Sequence, residues 1–203
     1  MNNRILRIIL EYTAHDKIED AARAGNIRCL KFLRKQGCPW DVWTCNIAAA
    51  GGHLDCLRYL HENGCPWEKW VCENATYNGH LHILKYLHEN GCPCDEETCM
   101  YAAGGHLECL RYLHENGCPW DRYTCMFAAR KGQLECLRYL HENGCPWDLW
   151  TCHYAAENGH LDCLKYAHDH GCPWNEKTYE LGTPECQKYI KSRGFRGNTC
   201  CIM

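Results

Sequence analysis

The chain has 203 residues, 46% of them hydrophobic and 23% charged, and a formal net charge of −3. These proportions are those of a folded protein and exclude a disordered chain. The slightly acidic balance gives no general attraction to phosphate backbones, so no nucleic acid partner is expected. The outlying number is 20 cysteines, which in a short secreted protein would indicate a disulfide framework.

The amino-terminal stretch argues against secretion. Its sequence, MNNRILRIILEYTAHD, has a short apolar run that Arg7 interrupts, and it has no small-residue cleavage site. No stretch approaches the roughly 18 apolar residues that a membrane-spanning helix needs. We therefore expect a cytoplasmic protein with reduced thiols. Residues 1–15 are predicted to form a helix that caps the front of the fold.

One unit repeats along the chain. Six glycines open similar segments at spacings of 26 or 27 residues: Gly25, Gly52, Gly79, Gly105, Gly132 and Gly159. Residues 182–194 match the first half of a unit and indicate a closing half-repeat. Self-similarity at a fixed short period is the signature of a solenoid.

Each unit predicts two short helices. In the unit that opens at Gly52, the leucines of HLDCLRYLHEN form one apolar stripe and the charged residues lie opposite. Gly64 ends this helix and Pro66 prevents its continuation. Glu68, which is Asp in the next three units, is placed to cap the second helix. A pair of this size cannot bury its own stripe, so about seven pairs must stack on one another.

The segment AAENGHLDCLKYAHDHG at residues 155–171, with its copies, resembles the ankyrin repeat. The resemblance covers residues 16–194 and implies an all-α, ankyrin-like helix-turn-helix solenoid. Ankyrin units have about 33 residues, whereas these have 27, and the loss falls between the GCPW turn and the next helix. We therefore expect β-hairpin fingers that are shortened or absent. This short Cys- and Trp-rich form is similar to repeats of amoeba-infecting giant DNA viruses such as pandoraviruses.

Seventeen cysteines recur at fixed places in the repeat and form three columns, whereas Cys94 stands where the other repeats have a Trp. The first column is Cys29, Cys56, Cys109, Cys136, Cys163 and Cys186; the second is Cys38, Cys65, Cys92, Cys118, Cys145 and Cys172; the third is Cys45, Cys72, Cys99, Cys125 and Cys152. Stacked helices lie about 8–10 Å apart, which is too far for a disulfide within one column. Ile83 and Tyr179, which cannot bind zinc, each take a place in a column.

We interpret the cysteines as buried apolar residues and expect no metal and no cofactor. The alternative is a metal-stabilised structural solenoid, in which His61 and Cys65 would supply two of the four zinc ligands. The intervening Gly64 breaks the helix between them, so the two side chains need not share a face.

Two columns of histidines are interpreted as structural. The column at the GH turn is expected to hydrogen-bond backbone between repeats, and Gln133 can do the same in one repeat: His53, His80, His106 and His160. The other lies near a helix end, which favours a partly charged imidazole: His61, His88, His114, His141 and His168.

Almost every Cys and His belongs to a repeating column, so no residue is set apart as a nucleophile and no enzyme is expected. The positions that vary between copies lie just after CPWD and on the following helix: Val42, Trp43, Asn46, Lys69, Trp70, Glu73, Glu96, Glu97, Met100, Arg122, Tyr123, Met126, Leu149, Trp150 and His153. By the ankyrin resemblance these residues line a concave groove that binds a protein.

The function predicted from these positions is that of a monomeric scaffold or adaptor. Exposed Trp, Tyr, Met and Arg are enriched at interface hot spots. An adaptor for ubiquitin ligation is a narrower alternative that the ankyrin resemblance implies. A structural alternative is that Trp43, Trp70 and Trp150 pack on the CPW tryptophan three residues earlier.

Residues 195–203 are predicted to be a flexible tail. Its last four residues, CCIM, match a prenylation motif with Cys200 as the lipidated residue. The approach to it, KYIKSRGFRGNT, has four basic residues and no acid. One prenyl chain plus a basic patch anchors a protein stably, so we expect association with the cytoplasmic face of a membrane.

Overall fold

A computed structural model describes residues 16–195, which form α-helices joined by short turns and contain no strand. The helices are α1 (residues 16–23), α2 (Ile27–Lys35), α3 (Val42–Ala50), α4 (Leu54–Glu62), α5 (Lys69–Tyr77), α6 (Leu81–Glu89), α7 (Glu96–Ala103), α8 (Leu107–Glu115), α9 (Arg122–Arg130), α10 (Leu134–Glu142), α11 (Leu149–Glu157), α12 (Leu161–Asp169), α13 (Glu176–Leu181) and α14 (Pro184–Ser192). The predicted seven helix pairs are confirmed.

No β-hairpin finger is found in residues 16–195. A single residue separates each GCPW turn (GCPC before α7) from the helix that follows, which leaves no chain for a finger. The predicted capping helix at residues 1–15 and the lipidation motif at Cys200 lie outside the described residues.

The chain divides into two compact units, residues 1–94 and 95–203. In the first unit, α3 packs on α5 and α2 packs on α4. In the second unit, α7, α9, α11 and α13 contact one another in succession, and so do α8, α10, α12 and α14. We call the odd-numbered helices inner and the even-numbered ones outer. Each pair buries its apolar stripe against its neighbours, as in a solenoid.

Capping fixes where the inner helices begin. The Asp41 carboxylate accepts hydrogen bonds from the backbone N–H groups of Trp43 and Thr44, and the Thr44 hydroxyl accepts the Asp41 N–H. The same capping box is formed at Asp95, Asp121 and Asn175. The prediction for Glu68 is wrong, because its side chain makes no capping hydrogen bond. It is one methylene longer than Asp, and Val71 stands where the other boxes have Thr.

Leucine, alanine and cysteine form the core. Leu57 and Leu60 of α4 are fully buried, and so are Ala48 and Ala49 of α3. The small alanine side chains let neighbouring helices approach closely. Burying one leucine contributes about 1.5–3 kcal/mol to stability, so the repeated stripe is the main source of stability.

The cysteine columns are buried as predicted, apart from the first members, Cys29 and Cys38, which are half-buried. The second column has a polar role as well. From Cys65 onward, each thiol donates a hydrogen bond to the carbonyl oxygen of the residue at the N-cap position of the preceding inner helix; the Sγ–O distance is 3.1 Å from Cys65 to Asp41 and 3.1 Å from Cys172 to Asp148.

Histidines at the GH turn link successive repeats, as predicted. The Nε2–H of His53 donates to the carbonyl oxygen of Arg23 over 3.0 Å, and that of His160 donates to Arg130 over 3.1 Å. The prediction for Gln133 is wrong, because its amide donates to the carbonyl oxygen of Lys131, two residues earlier in the same turn.

None of the helices in residues 16–195 combines the length and the apolar character that crossing a membrane requires.

Candidate protein-binding surface

The CPW tryptophans belong to a packing framework, and sequence reasoning missed their partners. The Trp147 ring stacks on His141 at a centroid distance of 4.1 Å and meets the edge of Tyr166 at 6.3 Å. Trp67, Trp120 and Trp174 have the same two partners in their repeats. In the first repeat, Arg34 replaces the histidine and lies 3.9 Å above the Trp40 ring. The His, Trp and Tyr columns therefore pack as one set, which we call the aromatic framework.

A hydrogen bond to the next repeat completes the framework. The Tyr166 hydroxyl lies 2.9 Å from Nδ1 of His141, and equivalent distances of 3.0 and 2.8 Å join Tyr86 to His61 and Tyr139 to His114. Burial, followed by Glu142, raises the pKa of Tyr166, so the phenol keeps its proton and can donate it. A constant 25-residue offset between His and Tyr is the sequence signal that could have revealed this bond.

The predicted partial charge on these imidazoles is wrong for two of them. Burial, followed by the neighbouring His170, lowers the pKa of His141. Burial, followed by Arg193, lowers the pKa of His168. Stacking between aromatic rings removes water from the imidazole, and this outweighs the attraction of the helix end for positive charge. Both histidines are therefore favoured in the neutral form, and neutral His141 accepts the Tyr166 hydroxyl proton at Nδ1.

The fifteen predicted binding residues occupy equivalent places on five inner helices. They are the first, second and fifth residues of α3, α5, α7, α9 and α11. The caps Asp41, Asp121 and Asp148 hold the backbone N–H of the second residue of α3, α9 and α11, and the side chain of that residue is exposed in each helix. We call these five helix starts the variable face.

In the first unit, two exposed tryptophans meet on the variable face. Trp43 is 49% exposed and Trp70 is 37% exposed, and their ring centroids lie 5.2 Å apart. Lys69 forms an ion pair with Glu73 at 3.3 Å beside them. Val42 and Asn46 are half-buried. The structural alternative, in which Trp43, Trp70 and Trp150 pack on the CPW tryptophan three residues earlier, is not what is found. Trp43 and Trp70 pack on each other, and Trp150 lies against His153 and Tyr154.

In the second unit, the variable face combines aromatic rings with cations. The Arg122 guanidinium lies 5.1 Å from the Tyr123 ring and reaches Asp148 of the next repeat at 3.6 Å. Trp150 is 39% exposed, with the Lys177 ammonium 5.9 Å from its ring. Glu96 and Glu97 are exposed, whereas Met100, Met126 and Leu149 are half-buried.

His153 departs from the prediction of an exposed groove residue. It is only 4% exposed, and its ring packs against Trp150 at 5.1 Å and Tyr154 at 5.3 Å. Burial lowers its pKa. His153 therefore packs against Trp150 and is too buried to contact a partner itself.

Comparison with known proteins agrees with this architecture. Residues 70–151 match the family profile "Ankyrin repeats (3 copies)", and residues 46–88 match "Ankyrin repeats (many copies)". The two matches together span more than half of the chain. A search of curated protein sequences gave no match.

Among solved structures, the human ASB11 ankyrin repeat domain is similar, with a TM-score of 0.70 and 21% sequence identity over 88% of this chain and 98% of that chain. At this identity the likeness shows the fold alone. Ankyrin repeats indicate a protein-interaction scaffold. The matches to the family profiles, the repeat period and the stacked helix pairs together show that this chain belongs to the ankyrin-repeat family.

Proposed function

We propose that the chain is a non-catalytic, monomeric scaffold that binds a protein partner through the variable face. The main support is a difference in exposure between two sets of tryptophans that lie three residues apart in the sequence. Trp67 and Trp147 are packed in the aromatic framework, whereas Trp70 and Trp150 are 37% and 39% exposed. Large aromatic side chains are costly to leave in water, and exposed ones concentrate at interfaces.

The chemistry of the face favours a partner segment with apolar or aromatic side chains and nearby acids. Trp43 and Trp70 offer a continuous aromatic surface, on which apolar side chains can lose their water. In the second unit, the Lys177 ammonium lies 5.9 Å from the Trp150 ring and stays available to a carboxylate, whereas Arg122 already pairs with Asp148.

Quantitative capture of partners in the native cell tests this proposal. The wild type is compared with a triple variant, Trp43→Ala with Trp70→Ala and Trp150→Ala. The matched control is Phe32→Ala, which removes a 60% exposed ring from the outer helix α2. We expect the triple variant to lose roughly tenfold or more of the captured partner, because hot-spot aromatics carry most of the binding energy. A folded triple variant that captures as much partner as Phe32→Ala would refute the proposal.

We also propose that prenylation at Cys200 tethers the scaffold to a membrane, provided that Met203 is the carboxyl-terminal residue in the cell. The supporting pattern is CCIM after a basic segment. Within the described part of that segment, Arg193 pairs with Asp169, which leaves Lys188 and Lys191 as its contribution to a basic patch. Mass spectrometry of the C-terminal peptide tests the proposal: a peptide with unmodified Cys200 that still carries Cys201-Ile202-Met203 would contradict it.

A further inference from the structure

A groove lies between the outer helices α12 and α14 of the second unit. Its volume is about 330 Å³, at the small end of the range of about 300–1,000 Å³ that ligand sites occupy. The residues that line it are Leu161, Lys165, Glu185, Lys188, Tyr189 and Ser192. A space of this size fits a small polar group, such as a phosphorylated sugar ring.

The groove combines two cations with an aromatic ring. Lys165 and Lys188 are exposed, whereas Tyr189 is half-buried, and the Lys165 Nζ lies 5.9 Å from the centroid of the Tyr189 ring. The Ser192 hydroxyl donates a hydrogen bond to the Tyr189 carbonyl oxygen over 2.6 Å and adds no charge. The one carboxylate of the lining, Glu185, lies in the first turn of α14, one turn before Lys188.

The carboxyl end of α14 differs from the ends of the five preceding outer helices. Ser192 is the last residue of α14, and the last residues of α4, α6, α8, α10 and α12 are all acidic: Glu62, Glu89, Glu115, Glu142 and Asp169. In this groove, a neutral hydroxyl therefore takes the place of a carboxylate. The nearby Asp169 carboxylate is itself held in an ion pair by Arg193. The groove is thus more positive than the repeat pattern would make it.

We propose that this groove binds the phosphomonoester headgroup of a membrane phosphoinositide. A phosphomonoester carries about −1.5 to −2 charges at pH 7, which the ammonium groups of Lys165 and Lys188 match together. A phosphodiester carries a single charge and leaves one of the two lysines unmatched. Lysine binds phosphate as a point charge, and the C–H face of the sugar ring can lie against the Tyr189 ring.

The position of the groove in the chain favours a lipid as the source of the phosphate, and this choice rests on the proposed tether at Cys200. Eight residues separate Ser192 from Cys200 and can span at most about 28 Å. A lipid attached at Cys200 would therefore keep the groove close to the bilayer surface, where the effective concentration of headgroups is high. One prenyl chain alone binds a membrane only reversibly, and a headgroup contact supplies the second attachment.

The test uses the full chain, produced without lipidation, and measures its sedimentation with vesicles. The vesicles consist of phosphatidylcholine with a phosphatidylinositol monophosphate, or of phosphatidylcholine with phosphatidylserine at the same total charge. The groove variants are Lys165→Gln, Lys188→Gln and Ser192→Glu, the last of which restores the acid of the other repeats. The matched control is Arg111→Gln, which removes the cation at the equivalent place of α8, 4.7 Å from the Tyr139 ring.

We expect the wild type to bind the phosphoinositide vesicles more tightly than the phosphatidylserine vesicles. Each groove variant should bind them roughly tenfold or more weakly, because it removes a charged contact or adds a repelling carboxylate, and Arg111→Gln should bind like the wild type. Helical circular dichroism checks that each variant is folded, and the two lysine variants decide the outcome should Ser192→Glu unfold.

Equal binding to both anionic vesicles, an equal loss in Arg111→Gln, or binding of soluble inositol bisphosphate without binding of vesicles would overturn the proposal. The proposed tether is tested separately, because the mass of the C-terminal peptide reports on Cys200 whatever the vesicles show.

Discussion

Glycines at the GH turns make room for an imidazole from the next repeat. Gly132 has a φ of +69°, and a Cβ atom there would lie 2.5 Å from Nδ1 of His160. Gly144 has a similar φ of +78°, but a Cβ atom there would meet nothing within 4 Å. Both glycines recur at fixed places in the repeat, so the sequence does not distinguish them. In the structure, Gly144 is required only for its left-handed backbone, whereas Gly132 is also required because His160 occupies the space of a side chain.

This contrast gives a paired prediction for Ala substitutions. Gly144→Ala should cost about 1–2 kcal/mol for a left-handed backbone. Gly132→Ala should cost about 1 kcal/mol more, because His160 must leave the Arg130 carbonyl. Urea unfolding of the two variants measures the difference. Equal free energies of unfolding would show that the His160 contact contributes nothing.

The neutral histidines predict how stability depends on pH. The pKa of His168 is lower in the folded protein than in the unfolded chain, so protonation favours unfolding. The contribution of His168 is therefore complete above the unfolded pKa of about 6.5, and it is lost as the pH falls below that value. Asp169 opposes this shift and Arg193 adds to it.

His168→Phe tests this dependence, because phenylalanine keeps the stack on Trp174, which has a centroid distance of 3.6 Å, and cannot titrate. Free energies of unfolding are measured at about pH 7.5 and about pH 5. The variant should lose less stability on acidification than the wild type. A larger loss in the variant would mean that the folded protein favours the charged imidazole.

At the scale of the helix, five of the six inner helices from α3 to α13 are capped by a side chain and α5 is not. Asp was recognisable as a cap from the sequence, because a short polar side chain before a helical pattern has few other roles. Glu68 stands in the same column and was predicted as a cap, because the column alone does not show that its longer side chain makes no hydrogen bond to the backbone.

Glu68→Asp should therefore stabilise the protein by about 0.5–1 kcal/mol, as a new cap on α5. Asp148 shows that Asp alone suffices, since its carboxylate accepts the Trp150 N–H at 3.0 Å. The reverse change, Asp148→Glu, is the control and should destabilise by a similar amount. Thermal unfolding followed by circular dichroism measures both. A lower midpoint for Glu68→Asp would contradict this account of the uncapped helix.

For the whole molecule, the repeat period was enough to predict the fold. Period, glycine positions and apolar stripes determine which helices exist and that they must stack, and all seven pairs are present. The contacts between columns were not predictable in the same way. The sequence was compared only within each column, at equivalent positions of successive repeats. The Cys45 thiol, however, contacts the Cys65 carbonyl and His141 contacts Tyr166, and the members of each contact belong to different columns. The burial of His153 was missed for the same reason.

The central claim is that the variable-face tryptophans serve recognition and the CPW tryptophans serve stability. Trp43 and Trp70 contribute their mutual stack, which is worth about 0.5–1.5 kcal/mol. Trp67 and Trp147 each lie against a histidine and a tyrosine. Their removal should cost more, because it leaves a cavity between two repeats.

Thermal unfolding followed by far-ultraviolet circular dichroism compares two variants directly. One is Trp43→Ala with Trp70→Ala and Trp150→Ala, and the other is Trp67→Ala with Trp147→Ala. Our account predicts that the triple variant keeps its helical signal and unfolds close to the wild-type midpoint, whereas the double variant unfolds at a clearly lower temperature. A triple variant that loses its helical signal, or that unfolds below the double variant, would contradict it.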